Sequence, residues 1–138
     1  MTDLVVDASA LAEYLVASPT GRDVSTLFDE FDGNVHMPHL CIVETTSVFR
    51  GWVLRNELHP DRAVGALQDL HDFPARRWPA DPFIGRIWEL RANVSAYDAT
   101  YVALTESLGA MLVTADGRLA RGAKQHSDCT LAVVPTTT

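Results

Sequence analysis

Ser95-Ala-Tyr-Asp98-Ala-Thr-Tyr101-Val-Ala-Leu104-Thr-Glu-Ser-Leu108-Gly-Ala-Met111-Leu-Val-Thr114-Ala-Asp116-Gly-Arg-Leu119 reads as a helix, a tight turn, a strand and the start of a second helix. Ser95 stands where an N-cap belongs, and Asp98 follows three residues later, a weak form of the capping box. Gly109 after Leu108 is the usual helix stop. Met111 to Val113 is a short apolar run, suited to a strand buried on both faces. Asp116 lies just past the carboxyl end of that strand, the edge at which open α/β sheets bind their ligands. One carboxylate therefore opens a helix and another ends a strand.

Outward from this stretch the same alternation repeats. Leu4 to Val6 is a short buried strand ended by Asp7, and Ala8 to Ala17 a helix with Leu11, Tyr14 and Leu15 on one face. Ser18-Pro19-Thr20-Gly21 breaks that helix, and Arg22 to Phe31 forms another, stopped by Asp32-Gly33-Asn34. Val35 to Met37 is a second strand, followed after Pro38 by a long helix to about Asn56. His59-Pro60-Asp61 starts a helix through about Leu70. Phe73 to Trp78, interrupted by Pro74, reads as a short edge strand. Asp81-Pro82 opens a helix to about Ala92. Gly117 to Lys124 is a short helix, Thr130 to Val134 a last strand, and Pro135 to Thr138 a frayed tail. Short strands alternating with helices predict an α/β fold: a parallel sheet covered on both faces.

A chain of 138 residues is one domain long enough for a real core, and the apolar share of 47% is that of a globular protein. No apolar run approaches the roughly 20 residues of a membrane helix, and Met1-Thr-Asp-Leu lacks a basic leader. Cys41 and Cys129 form no paired motif, so a reduced, cytoplasmic setting is expected. The net charge of −7 argues against simple electrostatic capture of nucleic acid. Charge is uneven, however: Arg22 is the only base before Arg50, whereas Arg118, Arg121 and Lys124 cluster beyond Asp116. That cluster fits either a solvated helix face or a basic rim around an acidic centre.

Taken singly, each acid has an ordinary local role. Asp7 and Asp116 suit helix caps, Asp98 a helix first turn, and Glu44 a solvated helix position. Glu44, however, shares a face with Cys41, Val48 and Gly51, and Asp98 with Tyr101, Val102 and Thr105. A carboxylate on an apolar face needs a partner or a metal. Carboxylates about 5 Å apart repel by about 3 kcal/mol per pair at an effective dielectric near 20, so several in one pocket must protonate or hold a cation. Oxygen ligands without His or Cys select Mg²⁺ or Mn²⁺.

The segments Val5-Val-Asp7-Ala-Ser9-Ala-Leu11, Glu44 in its helix, Ser95-Ala-Tyr-Asp98-Ala-Thr-Tyr101-Val-Ala-Leu104 and Leu112-Val-Thr114-Ala-Asp116-Gly-Arg-Leu119 carry a likeness. In order and spacing the chain resembles the PIN-domain ribonucleases, specifically the toxins of VapBC toxin–antitoxin pairs. By this resemblance Asp7, Glu44, Asp98 and Asp116 correspond to the family's acidic metal and catalytic site. Ser9 and Thr114 match its small hydroxyl residues; with Arg118 and Arg121 they are the candidates for substrate contact. The resemblance implies a five-stranded parallel sheet between helices, an α/β/α sandwich spanning residues 1–138 as one PIN domain. It also implies Mg²⁺-dependent hydrolysis of RNA phosphodiesters, a homodimer, and inhibition by a VapB-like antitoxin whose tail lies in a groove near the site. The region from Gly51 to Arg77 matches only loosely.

Two other functions are compatible with acids at strand ends. One is a phospho-accepting receiver domain, which the absence of a lysine after Met111–Thr114 disfavours. The other is a non-catalytic module that grips RNA or a partner. The histidines (His36, His39, His59, His71, His126) show no ligand spacing and are expected at the surface or in the core. The stripe Leu54, Leu58, Val64, Leu67, Leu70 suits inward packing or the lining of an antitoxin groove. Trp52, Trp78 and Trp88 are expected in the core or an interface.

Overall fold

The computed structural model describes residues 2–32 and 34–136. In chain order the elements are β1 Leu4–Val6, α1 Ala8–Leu15, α2 Pro19–Phe31, β2 Val35–Pro38, α3 Leu40–Leu54, α4 Pro60–Asp72 and β3 Arg76–Trp78. A 3₁₀ turn, Asp81–Phe83, then runs into α5 Ile84–Glu89, followed by α6 Ala96–Leu108, β4 Met111–Thr114, α7 Gly117–His126 and β5 Thr130–Val133. Every residue of β1 and β4 is buried, so these two strands form the middle of the sheet. The sheet has five strands in the order β3-β2-β1-β4-β5, with every neighbouring pair parallel. This is the expected α/β architecture.

Handedness then distributes the helices. From β1 the chain steps outward to β2 and β3; it returns across the sheet to β4 and continues to β5. Right-handed crossovers in opposite directions place their helices on opposite faces. Helices α1 to α4 therefore cover one face, where they pack on one another, and α5 to α7 the other, where α6 lies against β1, β2 and β4. Leu4, Val5, Leu11, Met37, Phe49, Leu104 and Leu112 belong to one continuous core between these layers.

Several boundaries differ from expectation. Ser18-Pro19 does not merely break the first helix; Ser18 accepts from the Gly21 N–H and Pro19 fills the first position of α2. The break shrinks to Val16–Ser18, with Ala17 at φ 53°. At Gly21 a Cβ would stand 2.0 Å from the Glu13 carbonyl oxygen, so glycine lets α2 start directly against α1. The helix opened by Asp81-Pro82 ends at Glu89, and Pro74 stays outside the edge strand β3. Asp32 ends α2 in the left-handed region (φ 41°); Gly33 of the expected stop lies outside the described residues. The expected frayed tail is pinned as far as Pro135, whose carbonyl accepts from Thr20 Oγ1 at 2.9 Å; residues 137 and 138 lie outside the described set. No helix among the described residues is long and apolar enough to cross a membrane.

Candidate active site

The strand order places a topological switch point between β1 and β4, because the chain leaves these neighbours in opposite directions. Loops that part in this way leave a crevice at the carboxyl edge. Asp7 follows β1 and Asp116 follows β4, one on each side of it. The other two acids arrive on helices. A helix that returns the chain between parallel strands runs antiparallel to them, so its first turns lie at the same edge. Asp98 is in the first turn of α6 and Glu44 in the second turn of α3. All four carboxylates line one pocket of about 280 Å³, together with Ser9, Tyr101 and Arg118.

Asp7 is the fixed point of the pocket. It is buried, and it caps α1 by accepting from the Ala10 N–H at 2.9 Å. The Ser9 hydroxyl donates to Oδ1 at 2.7 Å and the Thr114 hydroxyl to Oδ2 at 2.5 Å. Thr114 Oγ1 also accepts from the Asp116 N–H (2.9 Å), and Ser9 Oγ from the Ala115 N–H (3.0 Å). The ends of β1 and β4 are thus stitched together through side chains as well as through the sheet. Thr114 is fully buried, so its part is to hold Asp7 rather than to meet a substrate, as the resemblance had allowed. Ser9 is half-buried, lines the pocket and does both duties of donor and acceptor in this network.

The remaining acids are less tied. Asp116 caps α7 through Oδ1, which accepts from the N–H groups of Arg118 and Leu119. Glu44 Oε1 accepts from the Tyr101 hydroxyl at 2.6 Å. Asp98 Oδ2 lies 3.8 Å from a guanidinium nitrogen of Arg118, whose side chain is 77% exposed. No hydrogen bond among the described residues engages Asp116 Oδ2 or Glu44 Oε2. Ser95 accepts from the Asp98 N–H at 3.1 Å, which is the forward half of the expected capping box.

Burial and repulsion from neighbouring acids raise Asp7, Glu44 and Asp98. Burial pushes Asp7 up to about 6, against the lowering effect of its donors Thr114, Ala10 and Ser9, and the Asp116 charge adds to the rise. Glu44 is raised by burial, and further by Asp98 and Asp116, while Tyr101 opposes the shift. Asp98 is raised by burial and by Asp116, and Arg118 opposes this. Each acid that shifts thus feels at least one of the others across the pocket. Among the described residues no three His, Cys, Asp or Glu side chains are drawn in tightly enough to make a finished ligand cage. An all-carboxylate donor set with unengaged oxygens on two half-buried side chains fits a hard divalent cation.

The other candidates scatter. Arg121 is exposed and does not line the pocket. Helix α7 runs away from the carboxyl edge, so Lys124 lines a different pocket, with Gln125, His126 and Cys129. The basic cluster is therefore not a rim; only Arg118 reaches the acids. No histidine lines the acidic pocket. His36 is buried and bridges Asp3 and the Trp78 indole. The leucine stripe divides: Leu70 is buried and Leu67 half-buried, whereas Leu54 and Val64 are 65% and 66% exposed. Trp88 is also 65% exposed, its ring under the Arg91 guanidinium, and so is not part of the core. Tyr101 is the pocket residue whose link to Glu44 the sequence did not disclose; its sharing of a helix face with Asp98 was the available signal.

Comparison with known proteins agrees with this fold. The PIN domain profile matches residues 4–125. A VapC ribonuclease of Mycobacterium bovis is 39% identical over 132 residues, covering 96% of this chain and 98% of that protein. Among solved structures, Mycobacterium tuberculosis VapC20, described as a sarcin-ricin loop cleaving toxin, superposes with a TM-score of 0.63 at 18% identity, covering 86% of this chain and 93% of that one. VapBC-5 of the same organism, a member of the VapBC family of toxin-antitoxin systems, gives a TM-score of 0.54 at 19% identity, covering 99% of this chain and 100% of that one.

Proposed function

This chain belongs to the PIN domain family, alongside VapC ribonucleases, and from that premise we propose that it is a divalent-metal-dependent endoribonuclease, the toxin of a toxin–antitoxin pair. The observation that carries the reading is the convergence of Asp7, Glu44, Asp98 and Asp116, from four separate segments, on one pocket at the switch point of the sheet. A bound Mg²⁺, or Mn²⁺, would supply Lewis-acid polarisation of a phosphoryl oxygen and activation of water.

The residues divide the remaining work. Asp7, oriented by Ser9, Thr114 and the Ala10 N–H, offers a ligand whose position is set before binding. Asp116 and Glu44 bring the oxygens Oδ2 and Oε2, and Asp98 completes the negative set. Arg118 stands at the mouth, beside Asp98, where an incoming phosphodiester would give its guanidinium a second partner. Such a bridge holds RNA over an acidic floor that would otherwise repel it, which reconciles a net charge of −7 with a polyanionic substrate.

The partners in this reading are RNA as substrate, a cognate VapB-like antitoxin, and a second copy of the chain. The outward-facing Leu54 and Val64, and separately a cleft between α3 and α4 lined by Ile42, Thr46, Leu67, Leu70, His71 and Arg77, suit the antitoxin tail. Cleavage of RNA by wild type, Asp98→Asn and Asp116→Asn, in Mg²⁺, in Mn²⁺ and in EDTA, tests the reading. Wild type is expected to cleave only with the metal, and each variant to lose roughly 10²- to 10³-fold. RNA binding without cleavage in either metal would favour the non-catalytic module instead.

A further inference from the structure

We propose that Tyr101 is a positioning residue for Glu44: its hydroxyl fixes one carboxylate oxygen so that the other is presented to the metal. The inference rests on the metal-site reading given above. Tyr101 is 2% exposed, with its ring in the core and its hydroxyl at the floor of the acidic pocket. It lies one turn beyond Asp98 on α6, and its oxygen is 2.6 Å from Glu44 Oε1 on α3. The direction of that bond is settled by chemistry. A carboxylate oxygen has no proton to give and only accepts, so the phenol O–H donates.

Glu44 needs such a tether more than its three partners. Asp7 is held by three donors. Asp116 is held by its cap of α7, and Asp98 has the short aspartate arm on a helix end capped by Ser95. Glu44 is a longer, half-buried arm in the interior of a helix, repelled by Asp98 and Asp116. Free of its tether, repulsion would swing it toward solvent. The Tyr101 hydroxyl counters that by engaging one lone pair of Oε1 while Oε2 stays unengaged. Because α3 and α6 belong to opposite helical layers, the bond also ties the two layers together across the edge where the pocket opens.

Mn²⁺ affinity, measured by electron paramagnetic resonance and calorimetry on wild type, Tyr101→Phe, Glu44→Gln and the double variant, tests this, with the melting temperature of each as a control. Phenylalanine keeps the buried ring. Tyr101→Phe is expected to weaken Mn²⁺ binding on the order of 10-fold, and to have no further effect once Glu44 is Gln, which can still accept from the hydroxyl but offers the ion no charge. Unchanged affinity in Tyr101→Phe, or the same loss with and without Glu44→Gln, would overturn the positioning role while leaving the metal site intact. A wild type that binds no Mn²⁺ would overturn the metal-site reading, and this inference with it.

Discussion

Asp7 shows how one residue joins stability to function. Its folded pKa, about 6, lies above the ordinary aspartate value of 3.8 because it is buried. In the folded state the carboxyl keeps its proton where the unfolded chain has released it. Its contribution to stability is therefore full below about pH 4 and is lost as pH rises through 6. Metal-free protein should become less stable across that window. Asp7→Asn removes the ionisation, and at pH 7 in EDTA it should be more stable than wild type by about 2 kcal/mol, after allowance for the altered bond with Thr114. Urea unfolding from pH 4 to 7.5 measures both slopes; a wild-type slope equal to that of Asp7→Asn would contradict the account. Thr114→Val should act oppositely: it strips a donor from Asp7 and an acceptor from the Asp116 N–H, and should destabilise the fold by about 1–3 kcal/mol. The sequence exposed Asp7 because it ends a short apolar run, and Thr114 only through the family resemblance. It did not expose the Tyr101–Glu44 bond, since two side chains 57 positions apart meet only through the packing of two helices.

At the level of elements, the carboxyl edge is what patterning conveys best. The apolar runs Leu4–Val6 and Met111–Val113 identify the central strands, and an acid just beyond each marks the edge. Asp98 was not legible from the strand pattern alone, because it stands on a helix that precedes its strand; only the packing of α6 antiparallel to the strands sets its first turn at that edge. The ends of the helices were less legible because tertiary contact decides them. Helix α2 starts at Pro19 rather than Arg22 since Gly21 allows its first turn to rest on the last turn of α1. Gly21→Ala would put a methyl into the Glu13 carbonyl, with backbone atoms on both sides of the clash. Forced overpacking of this kind costs about 1–3 kcal/mol, or more where backbone must move. The variant should melt well below wild type by circular dichroism, whereas Gly65→Ala, in the exposed interior of α4 where a Cβ meets nothing within 4 Å, should raise stability by up to about 1 kcal/mol. Equal melting temperatures for the two would show that α1 and α2 can part at no cost.

The whole molecule shows its polarity in where it leaves apolar surface uncovered. Val43 on α3, Ile84 and Trp88 on α5 and Tyr97 on α6 are each more than 60% exposed. Between these helices lies an apolar cleft of about 250 Å³ that includes Leu40, Ile87 and Tyr97. Exposed apolar side chains on helices that flank one cleft mark an interface, whereas scattered single ones do not. The cleft lies beside the beginnings of α3 and α6, the same helix ends that carry Glu44 and Asp98 to the acidic pocket. A second copy of the chain seated on this face would bring two acidic pockets into one assembly, along which an RNA strand could run. Trp88 is the largest of these side chains and contributes little to the monomer core, so Trp88→Glu should separate copies without unfolding them. Sedimentation velocity should show wild type as a dimer and Trp88→Glu as a monomer of nearly unchanged melting temperature, still able to bind Mn²⁺. A wild type that sediments as a monomer at tens of micromolar would assign this face to another partner, and the site would then have to act from a single chain.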